Sequence, residues 1–122
     1  MPGVGNARFV SMTAVTTDEV RGGIFDATVY PYVTAYVTGT GTISGGTVSF
    51  EEADYADAQM PYTGTWSDLG SGYDVTASGL SGGATQVVHL PVRKYRFVRP
   101  FIEAAITGGG SISVTFAGMG PS

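Results

Sequence analysis

The 122-residue chain contains no cysteine. No disulfide can staple it and no thiolate can hold a metal, so its core alone must hold the fold. That composition matches a reducing compartment. Charge is scarce as well, at 13% of residues with a net charge of −4, which argues against a general attraction to nucleic acid. Good helix formers are few: there is one lysine, Lys94, and the leucines are Leu69, Leu80 and Leu90. No apolar run approaches the ~20 residues of a membrane helix. The opening Met1-Pro2-Gly3-Val4-Gly5-Asn6 lacks the basic-then-apolar pattern of a secretory signal.

What is present favours pleated structure. Hydrophobic residues make up 43%, with 19 Gly, 7 Tyr and 6 Phe, too apolar for a disordered chain and rich in strand and turn formers. The length suits one domain spanning 1–122, with short flexible ends at about 1–6 and 118–122. Ala7 to Thr16 reads as a first strand with Phe9, Val10, Met12 and Val15 as its apolar members. Ile24 to Thr38 is the clearest extended segment. Phe25, Ala27, Val29, Val33, Ala35 and Val37 share one parity and point inward; Tyr30, Tyr32, Tyr36 and the interleaved threonines point outward. Pro31 marks a bend or a corner between two strands. Further strands are expected over Thr47–Tyr55, Tyr73–Ser78 and Thr85–Val92, with a short strand or turn at Thr65–Leu69. Tyr95–Thr107 should be broken at Pro100, and a hairpin-like turn at Gly108-Gly109-Gly110 should lead into Ser111–Ala117. The loop from Ala56 to Gly64 contains Pro61 and is not expected to be helical. About eight short strands with glycine-rich turns predict an all-β, two-layer antiparallel β-sandwich resembling a jelly roll.

Few side chains offer chemistry. The lone His89 lies within a strand, no Gly-x-Ser-x-Gly elbow accompanies it, and one histidine without cysteine does not build a metal shell. Glu51, Glu52, Asp54 and Asp57 form an acidic cluster whose spacing does not match a calcium loop, and a solvated strand end is expected there. Four of the six basic residues, Arg93, Lys94, Arg96 and Arg99, interleave with Tyr95 and Phe97. Such a segment can bind single strands, but the chain is acidic and has no second basic stretch. Pairing with carboxylates, within the fold or on a protein partner, is the preferred expectation. No catalytic set, metal site or cofactor site is expected.

Several segments in order resemble small head proteins of tailed bacteriophages. They are the extended Phe25–Thr38, then Gly41-Thr42-Ile43-Ser44-Gly45-Gly46-Thr47-Val48-Ser49-Phe50-Glu51-Glu52-Ala53-Asp54, then Gly64-Thr65-Trp66-Ser67-Asp68-Leu69. Last comes Tyr95-Arg96-Phe97-Val98-Arg99-Pro100-Phe101-Ile102, leading into Gly110-Ser111-Ile112-Ser113-Val114. The resemblance covers roughly residues 25–117. It implies a non-enzymatic decoration or cement protein with a sandwich fold, made in the host cytoplasm and bound to the outside of an icosahedral capsid. The implied partner is the major capsid protein, with no membrane and no specific nucleic acid. Self-association as a dimer or trimer is expected because exposed strand edges must be covered. Tyr30, Tyr32 and Tyr36 are candidate interface anchors, since aromatics dominate protein contacts, and Arg93, Lys94, Arg96 and Arg99 could meet an acidic surface. The alternative is a carbohydrate-binding module with Trp66, Tyr62 and Tyr73 as its platform. A jelly-roll hydrolase would instead pair Glu51, Glu52 or Asp54 with a second carboxylate across a cleft.

Overall fold

Alternation of apolar and polar residues builds both faces of this protein. In β3 (Tyr32–Thr40) Val33, Ala35 and Val37 are buried while the residues between them reach solvent, and β9 (Ser111–Met119) repeats the pattern with Ile112, Val114 and Phe116. The computed structural model describes residues 6–17, 19–27, 30, 32–54, 65–91 and 96–119. The other strands are β1 (Asn6–Val15), β2 (Phe25–Asp26), β4 (Gly45–Asp54), β5 (Ser67–Asp68), β6 (Val75–Thr76), β7 (Thr85–Leu90) and β8 (Arg96–Thr107). Among the described residues the only helical turns are two short 3₁₀ turns, Ser71–Tyr73 and Ala77–Leu80.

The strands form two antiparallel sheets, in the orders β1-β9-β3-β7 and β2-β8-β4-β5, with β6 also paired to β4. The pairings run in reverse order along the chain: β1 with β9, β2 with β8, β3 with β7, and β4 with β5 and β6. That is one long hairpin rolled on itself, closed by β3 against β9 and β4 against β8, and it is the jelly-roll arrangement. The all-β sandwich expected from the sequence is therefore the observed fold.

The core lies between the sheets. Phe50 of β4 meets Phe116 of β9 edge to face at 6.0 Å between ring centroids, and Phe25 stacks on Phe116 at 5.5 Å. Both Phe50 and Phe116 are fully buried, so this aromatic contact joins the two layers at full desolvation.

Several local expectations need correction. Ile24–Thr38 is not one strand: Phe25 and Asp26 belong to one sheet and Tyr32 onward to the other, a corner of the kind Pro31 suggested. Tyr30 is not on the outer parity. It is half-buried against the core, stacked on Phe25 at 5.7 Å. Gly118 makes room for it, since a Cβ there would lie 2.6 Å from the Tyr30 ring. Gly108-Gly109-Gly110 does not close a hairpin, because β8 and β9 lie in different sheets. Its role is to turn the chain across the edge of the sandwich, with Gly108 and Gly109 at φ 104° and 99°, values that only glycine adopts without strain. Tyr73–Ser78 is strand only at Val75–Thr76. The tail expected from Gly118 is strand as far as Met119.

Pro100 does not interrupt β8. Its carbonyl accepts the Gly22 amide at 3.0 Å, and in a strand the nitrogen and carbonyl of one residue point the same way. The missing N–H therefore faces the Gly22 side, and the ladder to β4 loses no donor. Thr16 and residues 19–22 lie along this edge of β8, with Glu19 N–H donating to Ile102 O and Ile102 N–H to Val20 O, both at 2.9 Å. The connector thereby covers an edge that would otherwise be open. The apolar residues Phe9, Val10, Met12 and Val15 do not alternate regularly in β1 because the β1–β9 register shifts between Val10 and Met12 and again before Val15, and Ala14 sits at φ 52°.

Candidate interaction surface

The two outer faces of the sandwich differ in charge. None of β1, β3, β7 and β9, which form the first sheet, contains an Asp or Glu, whereas the strands of the second contain Asp26, Glu51, Glu52, Asp54, Asp68 and Glu103. Register sets out the first sheet's outer face in rows. Val10 opposes Thr115, Thr115 opposes Tyr36, and Tyr36 opposes Val87, one row across all four strands. The next row is Arg8, Ala117, Thr34 and His89, followed by Met119 opposite Tyr32. On the other side lie Ser113, Thr38 and Thr85.

Among the described residues the large hydrophobic side chains left exposed are Val10 (63%), Tyr32 (62%), Met119 (51%) and Val87 (45%). All four belong to this face. Between them the hydroxyls pair with one another across strands, Thr38 with Thr85 at 2.8 Å and Thr40 with Ser111 at 2.7 Å, which leaves the surface with few unspent donors. The Arg8 guanidinium lies over the Tyr36 ring at 5.1 Å. An apolar, hydroxyl-rich face with one cation and no anion suits contact with another protein surface.

The second sheet's outer face is spent on its own bracing. Glu51 Oε1 accepts from Arg99 Nε at 2.8 Å and from Arg21 Nε at 3.1 Å. Arg99 lies over the Trp66 ring at 3.9 Å and Arg21 over Phe101 at 4.3 Å. One carboxylate thus links β4, β8 and the segment 19–22 through Arg21, and each cation is backed by an aromatic face. Trp66 is half-buried and capped by Arg99, so its face is not open as a carbohydrate platform requires.

The candidate residues therefore divide. Tyr32 and Tyr36 lie on the apolar face, Tyr30 packs inward, and Arg99 lies on the opposite side of the sandwich, held by Glu51. Arg93 and Lys94 lie outside the described residues. Arg96 is placed as the first residue of β8, paired with Asp54. Asp57 and Tyr62 also fall outside the described residues. Sequence reasoning missed Val10, Val87 and Met119. Each is an outward-facing apolar residue in a strand that also sends apolar residues to the core, and only the pairing of distant strands shows that they share a face. Among the described residues no group of three or more His, Asp or Glu converges as a metal site would require, and no helix is long and apolar enough to cross a membrane.

No protein-family model matches the sequence, and no curated protein matches it. Among solved structures, the fold is similar to that of the SPBc2 prophage-derived protein YomS, with a TM-score of 0.54 and 12% sequence identity over 97% of this chain and 94% of that one. The similarity spans both sheets and is a likeness of fold.

Proposed function

We propose that this protein is a non-enzymatic structural protein of a bacteriophage virion, which binds the outside of the icosahedral capsid through the outer face of its first sheet and stabilises the shell. The observation that carries the proposal is the gathering of Val10, Tyr32, Val87 and Met119 on one face without a carboxylate. The ordered resemblance to phage head proteins supports it, as does the fold's likeness to a prophage-derived protein.

Four strands about 4.8 Å apart and about nine residues long offer roughly 600 Å². Buried against an equal partner surface this gives about 1,200 Å², the lower end of specific interfaces. One such contact is weak. A particle offers many equivalent sites, and bridging neighbouring shell subunits raises the effective concentration of each further contact. Binding the assembled shell in preference to free subunits then stabilises the shell by mass action.

The test is co-sedimentation with purified phage particles, combined with thermal release of the genome. Wild-type protein should pellet with the shell and raise the release temperature, while Val10→Asp and Val87→Asp should remain folded and stay in the supernatant. Wild-type protein that never pellets, and is absent from purified virions, would refute the proposal.

A further inference from the structure

The edge of a sheet presents unpaired backbone donors and acceptors, and most edges of this sandwich are protected. Residues 19–22 lie against β8. β1 carries two register shifts and Arg8, and its Ser11 carbonyl accepts the Gly23 amide at 2.8 Å. β5 and β6 are two residues long. β7 has none of these devices. It ends the first sheet and pairs with β3 over six residues without a register shift. Its sequence, Thr85-Gln86-Val87-Val88-His89-Leu90, contains no proline, glycine, lysine, arginine or carboxylate.

One bond fixes the direction of the backbone groups along this edge. Gly39 N–H donates to Ala84 O at 3.0 Å, one step beyond the pair Thr38–Thr85. In an antiparallel ladder, successive residues turn their N–H and C=O alternately to one neighbour and to the other. Ala84, Gln86, Val88 and Leu90 therefore face β3, while Thr85, Val87 and His89 point their backbone groups away from it. Among the described residues nothing meets those groups. A cleft of about 300 Å³ separates β7 from Gly72, Tyr73 and Asp74, so the space beside the edge is open.

We propose that a second copy of this chain pairs with β7, antiparallel about a two-fold axis through Val87. Val87 is the middle of three evenly spaced outward residues, so the edge is self-complementary about that point. Val87 meets Val87 of the partner subunit in a hydrogen-bonded pair. Thr85 meets the partner's His89, and His89 meets the partner's Thr85. This gives six backbone hydrogen bonds and uses every outward group of the three residues. The row Val10, Thr115, Tyr36 and Val87 then continues into the partner's sheet, and Val87, 45% exposed, is covered by its own copy. On the inner side the partner's Gln86 stands opposite Val88, next to the cleft. An unrelated extended peptide would find the same backbone groups but not these side-chain matches on both sides of the axis. Six residues make a junction about 20 Å long. It buries on the order of 600 Å² in total, about half of what a stable specific interface needs, so the dissociation constant is expected near 100 µM. The pairing rests on the β7 edge alone and stands or falls separately from capsid binding.

The experiment is analytical ultracentrifugation of the full-length protein from about 10 µM to about 1 mM, with amide hydrogen exchange measured at both ends of that range. The mass should rise from monomer to dimer and stop there, because a two-fold edge pairing closes on itself. The amides of Thr85, Val87 and His89 should exchange freely when dilute and slow about fivefold when concentrated, while those of Gln86 and Val88, which face β3, stay slow throughout. Val87→Pro removes only an outward N–H, so β7 should keep its ladder to β3 and the dimer should be lost. Val87→Lys should act in the same way by setting two ammonium groups across the axis. Val10→Asp, three strands away, should leave the dimer intact. A chain that stays monomeric at about 1 mM would overturn the pairing. So would slow exchange of Thr85, Val87 and His89 in the dilute monomer, growth beyond a dimer, or a dimer that survives in folded Val87→Lys.

Discussion

Replacing Glu51 by alanine would leave two guanidinium groups close together without their shared counter-ion. Glu51 Oε1 sits 2.8 Å from Arg99 Nε and 3.1 Å from Arg21 Nε. With charge centres about 4 Å apart and an effective dielectric near 20, each attraction is about 4 kcal/mol before desolvation. Desolvation and side-chain ordering offset most of that, and the offset depends on exposure. The Arg99 side chain is 19% exposed and that of Arg21 38%. A coupling of about 1–2 kcal/mol is expected for Glu51 with Arg99, and about 0.5 kcal/mol for the more hydrated Arg21. Glu51→Ala should therefore destabilise by roughly 2–3 kcal/mol, which includes the repulsion of the abandoned cations. The assay is urea unfolding of the wild type, the single variants and the two double variants with Arg99→Ala and Arg21→Ala, analysed as thermodynamic cycles. Raising the salt to about 1 M should erase the Arg21 coupling and spare most of that with Arg99. If Glu51→Ala costs under about 0.5 kcal/mol, or the Arg21 coupling exceeds that of Arg99, the bracing role is refuted and the basic residues of β8 are free to serve a partner.

Three further outcomes follow from packing. Phe116→Ala should cost about 3–5 kcal/mol in urea unfolding, because the ring is fully buried and touches both Phe25 and Phe50. Ser49→Ala should be neutral or stabilising by about 1 kcal/mol, since Ser49 Oγ is buried with no hydrogen-bond partner and its removal lifts a desolvation cost; a loss of stability would show that the hydroxyl is satisfied. Trp66→Ala should cost only about 1–2 kcal/mol, less than a core aromatic, and part of the loss should vanish when Arg99 is already alanine, because the half-buried indole stacks under that cation.

How much of this could be read in the sequence depended on the range of the interaction. The alternation in Val33-Thr34-Ala35-Tyr36-Val37 and in Ile112–Phe116 is a local signal, and both strands lie where it places them, with the correct faces buried. Pro31 signalled a corner through its own ring chemistry. Pro100 misled because its cost depends on which neighbour its nitrogen faces, and that neighbour, Gly22, lies 78 positions earlier in the chain. Tyr30 misled because it lies between β2 and β3, in neither strand, where period-two alternation does not govern which way a side chain points. The face shared by Val10, Tyr36 and Val87 depends on pairings between distant segments, for which one sequence carries no local trace. Charge segregation was legible in principle, since the strands of the first sheet lack Asp and Glu, but only once it was known which strands share a sheet.

The reverse-order pairing also dictates when each strand can find its place as the chain leaves the ribosome. The middle emerges with its partners close by, so β4 can dock with β5 and β6 early. β1 is synthesised first and yet has to wait, because β9, its neighbour at Asn6–Met119 through Val15–Ile112, is made last. Closure is therefore non-local, and folding is expected to be slow for a chain of this size. Through that interval β1, whose one ionised side chain is Arg8, is an unpaired strand open to association with other chains. A nascent chain stalled before Ser111 should thus be lost to aggregation rather than persist as a smaller folded unit.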